Sequence, residues 1–195
     1  MTLFSIGEPS EERIVEFLRA QREAPFSYEE VGASKRGASE LTGYVVDHNR
    51  ARLGEGGETF DRAVAALRAW KMIDVRWVRI FPPGAPIEVG TTVAVLAWHY
   101  GLWSFNACRI VYLIEEDDGV VRRCGFAYGT LPGHAESGEE RFTVEQRRDD
   151  GSVSYDLYAF SRPNNLLTRA GYPLARRLQR RFARDSLRAM VRASG

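Results

Sequence analysis

Between Val75 and Phe160 apolar and polar residues alternate, whereas on both sides of that run the apolar residues recur three or four apart. Alternation makes a strand with one buried face, and the wider spacing makes a helix with one buried stripe. Ser10 is a good N-cap, and Ile14, Phe17 and Leu18 follow at helical spacing, which predicts a helix over Glu11–Gln21. Residues 25–43, rich in Gly, Ser, Glu and Ala, read as a long connection. A first strand is expected over Gly43–Leu53, and Phe60, Ala63, Val64, Leu67 and Trp70 predict a helix over Glu58–Met72. Strands follow at Val75–Phe81, Thr91–Tyr100, Phe105–Glu115, Val121–Thr130, Glu140–Arg148 and Ser152–Phe160. A polar loop is expected over Gly133–Glu140. Pro173 suits the first turn of a last helix over Tyr172–Ala193, striped by Leu174, Leu178, Phe182 and Ala189.

Turn signals set the expected registers. A two-residue turn at Asp150-Gly151 puts Val144 opposite Leu157 and Phe142 opposite Ala159, on an apolar face. A turn at Asp118-Gly119 puts Tyr112 opposite Gly125 and makes Arg109 and Tyr128 cross-strand neighbours, on a face shared with Val111, Leu113 and Phe126. The expected fold class is α+β: a curved antiparallel sheet of about seven strands against a long C-terminal helix, plus an extra N-terminal helix as lid or brace. One domain, 1–195, is expected, with residues 1–43 as helix and linker and 44–193 as core. One helix cannot fill a long curved sheet, so a cavity is expected between them.

Bulk properties narrow the function. Across 195 residues, 44% apolar and 27% charged, the net charge is +1, so no general attraction to nucleic acid or anionic membrane is expected. No apolar run is long enough to span a bilayer, and the N-terminus lacks the marks of a signal peptide; a cytoplasmic location is expected. In the expected register Cys108 and Cys124 point to opposite faces, which disfavours a disulfide.

The candidate chemistry centres on Gly133–Glu140. His134 titrates near neutrality and suits general acid–base work, with Glu139 or Glu140 to orient it, in a hydrolase or cyclase. His134, Glu136 and Glu139 or Glu140 also have metal-binding chemistry, but with three histidines in the chain and no fixed ligand spacing no metal is expected. No cofactor is expected either: Gly54-Glu55-Gly56-Gly57-Glu58-Thr59 lacks the third glycine of a dinucleotide loop, and no Gly-Lys-Ser/Thr follows. Arg109 and Tyr128 can hold a polar ligand group if their face lines the cavity; paired with a glutamate and an aromatic ring, the same Arg is structural. Phe126 shares that face, and Trp98 either rims a ligand entrance or packs in the core. The last helix carries Arg176, Arg177, Arg180, Arg181, Arg184, Arg188 and Arg192, either a solvated face or an interaction surface for anionic partners.

The element order resembles the helix-grip fold of the START and birch-pollen-allergen superfamily, whose members bind apolar ligands in such a cavity or use it for catalysis. Phe60-Asp61-Arg62-Ala63, Pro86-Ile87-Glu88-Val89-Gly90-Thr91, Ala107–Tyr112, Gly125–Phe142, Ala159–Pro163 and Gln179–Phe182 resemble a bacterial and plant family, the domain of unknown function numbered nineteen-ninety. The resemblance covers roughly Tyr28 to Met190. Its most specific part is Gly-Thr-Leu-Pro-Gly-His followed by Gly-Glu-Glu-Arg-Phe; Ala135 stands where such proteins often carry Pro. It supplies a name without an activity: no catalytic residue, substrate or cofactor comes with it. The expected function is therefore a small apolar or amphipathic, lipid-like ligand bound between sheet and last helix, with Arg109, Tyr128, Trp98, Phe126 and His134 as contacts. The acid–base enzyme and the Arg-helix interaction module are the alternatives.

Overall fold

A computed structural model describes residues 4–35, 41–164 and 171–195. Its strands are β1 (Phe4–Ser5), β2 (Val45–Glu55), β3 (Val78–Phe81), β4 (Thr92–His99), β5 (Leu102–Asp117), β6 (Val121–Thr130), β7 (Glu136–Arg147) and β8 (Ser152–Pro163). The helices are α1 (Glu11–Gln21), α2 (Gly56–Arg68) and α3 (Tyr172–Ser194), with single 3-10 turns at Ala33–Lys35 and Lys71–Ile73. In α1, Ser10 Oγ accepts from the Arg13 N–H at 3.4 Å, Glu11 and Glu12 occupy the first turn and Arg19 the last, so both ends suit the helix dipole.

The strands run in the order β2-β8-β7-β6-β5-β4-β3, antiparallel throughout, and β1 pairs with β5. The β1 pairing is a two-residue addition that sequence periodicity did not reveal. Helices α2 and α3 lie on the inner face, over Phe126, Phe142, Tyr155 and Leu157. This is the helix-grip arrangement. The N-terminal segment braces the outer face: Ile14 and Phe17 pack with Leu96, Phe105 and Leu131, and Tyr28 packs with Tyr158 and Phe160.

Two registers differ from expectation. In the β7–β8 hairpin Val144 pairs with Tyr155 and Phe142 with Leu157, two residues from the expected partners. The loop is wider than two residues because Asp149 and Asp150 carboxylates accept from the Asp150 and Ser152 N–H groups. An even shift leaves the faces unchanged. The β5–β6 pair behaves otherwise. A wide loop, with Asp118 accepting from the Val120 and Val121 N–H groups, shifts the register by two, and a bulge at Val111 takes one residue back. Arg109 therefore pairs with Gly129, and Ile110 with Tyr128. This one-residue displacement sends Arg109 to the outer face, while Cys108, Ile110, Phe126 and Tyr128 share the inner one. Cys124 also packs against the inner core, so the two cysteines share a face. They lie far apart along β5, Cys124 pairing with Glu115 and Cys108 with Thr130, and both are free thiols.

The expected polar loop is mostly strand. Glu136–Gly138 pairs with Ser161–Pro163, so β7 begins four residues earlier than its apolar pattern suggests. Its outward polar side chains, Ser137 and Glu139, are buried because the outer brace supplies partners. Ser137 Oγ donates to Ser27 O at 2.7 Å. Glu139 accepts from Tyr28 Oη at 2.7 Å, Gly32 N at 2.8 Å and Ser34 N at 3.0 Å, and from the Ser34 hydroxyl. The small outward residues of Gly125-Phe126-Ala127-Tyr128-Gly129 leave room for this brace: a Cβ on Gly129 would meet Tyr28 Oη at 2.1 Å.

Candidate functional site

Strand alternation aims Asp47, Tyr128, Glu136, Glu140 and Leu157 at the inner face, and α3 crosses above them. Sheet and helix do not meet along their whole length. They leave an open cleft of about 1160 Å³, walled by Trp77, Leu157, Leu178, Phe182 and Leu187. Three carboxylates, from Asp47, Glu136 and Glu140, face it, while His99, Ser104 and Asn106 line it from β4 and β5. Asp47 takes a two-pronged ion pair from Arg176, at 2.5 and 2.7 Å, and Arg176 also donates to Gln179 Oε1 at 2.6 Å. Gln179 Nε2 donates to Ser161 Oγ at 3.0 Å. This chain of contacts ties the helix to β2 and β8.

On the cleft floor, Tyr128 Oη donates to Glu140 Oε2 at 2.6 Å. Burial raises the Glu140 carboxyl to about 7 despite that bond, and Asp47 adds to the rise. His134 is placed by the tight turn before β7: its Nδ1 accepts from the Glu136 N–H at 2.9 Å, and its carbonyl accepts from Asn164 Nδ2 at 2.9 Å. Burial lowers the imidazole to about 4, so it is neutral at physiological pH, with Nε2 carrying the proton. Glu136, 8% exposed, is the remaining acid, and among the described residues neither of its carboxylate oxygens has a hydrogen-bond partner.

The residues singled out from sequence thus separate. Tyr128, His134 and Glu140 border one cleft. Glu139 also borders the cleft, but its carboxylate is spent on the outer brace. Arg109 also lies outside: its guanidinium donates to the carbonyls of Gln21, Arg22 and Ala24, closing the C-terminal end of α1. Phe126 is core, edge-on to Trp70 with ring centres 5.1 Å apart, and Trp98 is half exposed on the outer side of β4. Among the described residues, no three His, Cys, Asp or Glu side chains come together as metal ligands. Sequence reasoning missed Asp47, Ser161, Arg176 and Gln179. Nothing local distinguishes Arg176 from the other arginines of α3; only docking of the helix selects it.

The opposite displacements of Glu140 and His134 have a measurable result. Glu140 has a folded pKa above its unfolded value, so it favours folding at low pH and loses that contribution as pH rises from about 4.5 to about 7. His134 has a folded pKa below its unfolded value, so its contribution grows as pH rises from about 4 to about 6.5. The two cancel over most of that window. Glu140→Gln is expected to expose a rising stability between pH 4.5 and 6.5, and His134→Gln a falling one, each by about 2 kcal/mol. Urea unfolding across pH checks this; parallel profiles for both variants would contradict it.

The comparisons with known proteins agree with this architecture. The family described as Domain of unknown function (DUF1990) matches residues 27–189. A UPF0548 protein of Dictyostelium discoideum is 36% identical, covering 99% of this chain and 96% of the relative. A UPF0548 protein of Deinococcus radiodurans is 38% identical, covering 99% and 100%. Among solved structures, hypothetical protein jhp0584 from Helicobacter pylori aligns at a TM-score of 0.50 with 11% identity, over 80% of this chain and 90% of that one, a likeness of fold alone. No helix among the described residues is long and apolar enough to cross a membrane. With the family matched through the sheet and most of α3, the chain belongs to the DUF1990 family, that of the UPF0548 proteins.

Proposed function

We propose that this protein holds a small, largely apolar or amphipathic molecule in the cleft between the sheet and α3. The observation that carries the reading is the cleft itself, about 1160 Å³ with apolar walls and with Tyr128, His134, Glu136 and Glu140 grouped on strands β6 and β7 and the turn between them. That volume is of the order used for small-molecule sites, and the lopsided polarity suits a ligand with a tail and a head. Leu157, Leu178 and Phe182 would cover the tail, and Tyr128, His134 and Glu136 would meet the head. The test is a neutral solvatochromic dye such as Nile red, together with organic extraction and mass spectrometry of the purified protein. A saturable blue-shifted dye signal, weakened about ten-fold or more in a cleft-filling Leu178→Trp variant, is the expected result. An absent dye signal together with no extracted molecule would sink the reading.

One observation favours a second, enzymatic reading. A carboxyl near 7 can both give and take a proton at neutral pH, and Glu140 sits in the cleft with Tyr128 as its only hydrogen-bond partner among the described residues. Proton transfer to a bound ligand would then run through Glu140. His134 is the weaker candidate, since its Nδ1 is already committed to the Glu136 N–H.

A further inference from the structure

Among the described residues, the buried charges around the cleft do not all find partners. Three carboxylates face it, from Asp47, Glu136 and Glu140. Asp47 is neutralised by Arg176, and Glu140 is held by the Tyr128 hydroxyl. Glu136 lacks any such partner: it is 8% exposed, borders the cleft, and both oxygens are unpartnered among the described residues. The Ser161 hydroxyl, the Arg176 guanidinium and the Gln179 amide lie close enough to draw its pKa down, but none is in hydrogen-bond geometry, and burial still raises it. A buried carboxylate without donors is costly, and native proteins rarely tolerate one without use.

Among the described residues, the cations nearby do not answer that need. Arg176 spends its guanidinium on Asp47 and Gln179. Arg180 and Arg184 border the cleft but are exposed on α3. Arg109 is on the other face of the sheet. Among the described residues, a ligand carboxylate or phosphate would therefore meet Glu136 and Glu140 without a free buried cation to hold it. A metal ion would want further ligands beside Glu136, and no such group forms among the described residues.

We infer that the ligand of this cleft is an amphipathic amine, its ammonium group donating to the Glu136 carboxylate and its apolar portion lying against Leu157, Leu178 and Phe182. This rests on the cleft being a ligand site, as proposed above. An ammonium supplies the missing donors and the missing positive charge together, and burial strengthens such a charge-assisted bond. Ser161 and Gln179 stand at the same end to take part in orienting the head.

The test uses three probes of equal chain length at pH 7.5, octylamine, octanol and octanoic acid, each displacing Nile red from the full-length protein. The amine is expected to compete at least about ten-fold better than the alcohol or the acid. In Glu136→Gln, checked for folding by circular dichroism, that advantage is expected to shrink to less than about three-fold, with each competition referred to the Nile red affinity measured for that variant. Equal competition by all three probes, or preference for the acid, would overturn the amine inference and leave the cleft reading standing. Retained preference in a folded Glu136→Gln would overturn the assignment to Glu136. A dye that never binds the wild type would instead sink the cleft reading. If Glu136→Gln does not fold, the wild-type ranking of the three probes decides the matter alone.

Discussion

Glu139→Ala is expected to destabilise the fold by about 3–5 kcal/mol, with the loss concentrated in the outer brace. Glu139 is 2% exposed and gathers four donors onto one carboxylate: the Tyr28 hydroxyl, the Gly32 and Ser34 N–H groups, and the Ser34 hydroxyl. The donors come from a segment with little regular structure of its own, a single 3-10 turn at Ala33–Lys35. Alanine removes all four acceptor contacts at once, and each donor must find water or remain buried without a partner. Partial release of the segment lets water in, which caps the cost below the sum of four charged hydrogen bonds. For a chain of this size the change corresponds to a fall in melting temperature of roughly 10 °C. Urea unfolding reads the stability, and hydrogen exchange reads the place: protection should vanish first over residues 27–35. A loss below about 1 kcal/mol would show that this carboxylate does not hold the brace. If instead Glu139 were an acid–base group of the cleft, alanine would impair ligand chemistry and leave stability nearly unchanged.

A second substitution of comparable size needs only one carbon. Gly138→Ala places a Cβ 1.9 Å from the Phe160 carbonyl oxygen and 2.9 Å from the Ser161 Cα, both backbone atoms of β8. No side-chain rotation relieves such a contact. The strands must part where β7 carries Glu136, Glu139 and Glu140, so the expected cost is about 3 kcal/mol or more. Gly57→Ala is the control. Nothing lies within 4 Å of its added Cβ, and it sits in the first turn of α2, where alanine is the better helix former; it should be neutral or slightly stabilising. Equal melting temperatures for the two variants would show that β7 and β8 yield more easily than their packing implies.

What the sequence disclosed and what it withheld divide along a physical line. The bounds of α1 and β6 follow from the sequence to the residue, and those of α3 to within one. Those elements declare themselves through a cap, a period or a turn within a few residues. The faces of Tyr128 and Arg109 were not legible, because one bulge at Val111 reverses the parity of every position beyond it and no special residue marks it. The start of β7 was also hidden. Glu136, Ser137 and Glu139 look like a solvated loop until Ser27, Tyr28 and Ser34 arrive from more than one hundred residues away to satisfy Ser137 and Glu139. His134 and Glu140 were legible as polar residues out of place in a β protein, but their neighbours Asp47 and Arg176 were not. That pair joins residues 129 apart in sequence, and only the docking of α3 on β2 creates it.

Glu139 faces the brace and Glu140 the cleft, and a single peptide unit separates them. The tether of the N-terminal segment and the floor of the cleft are therefore linked in series by the stiffest covalent joint a chain possesses. A pull on the outer segment passes down the Glu139 side chain, across one planar peptide unit and out along the Glu140 side chain. The brace and the cleft floor are in this sense two faces of one strand segment, and loosening the buried Tyr28 and Ser34 contacts would disturb the backbone that carries Glu140.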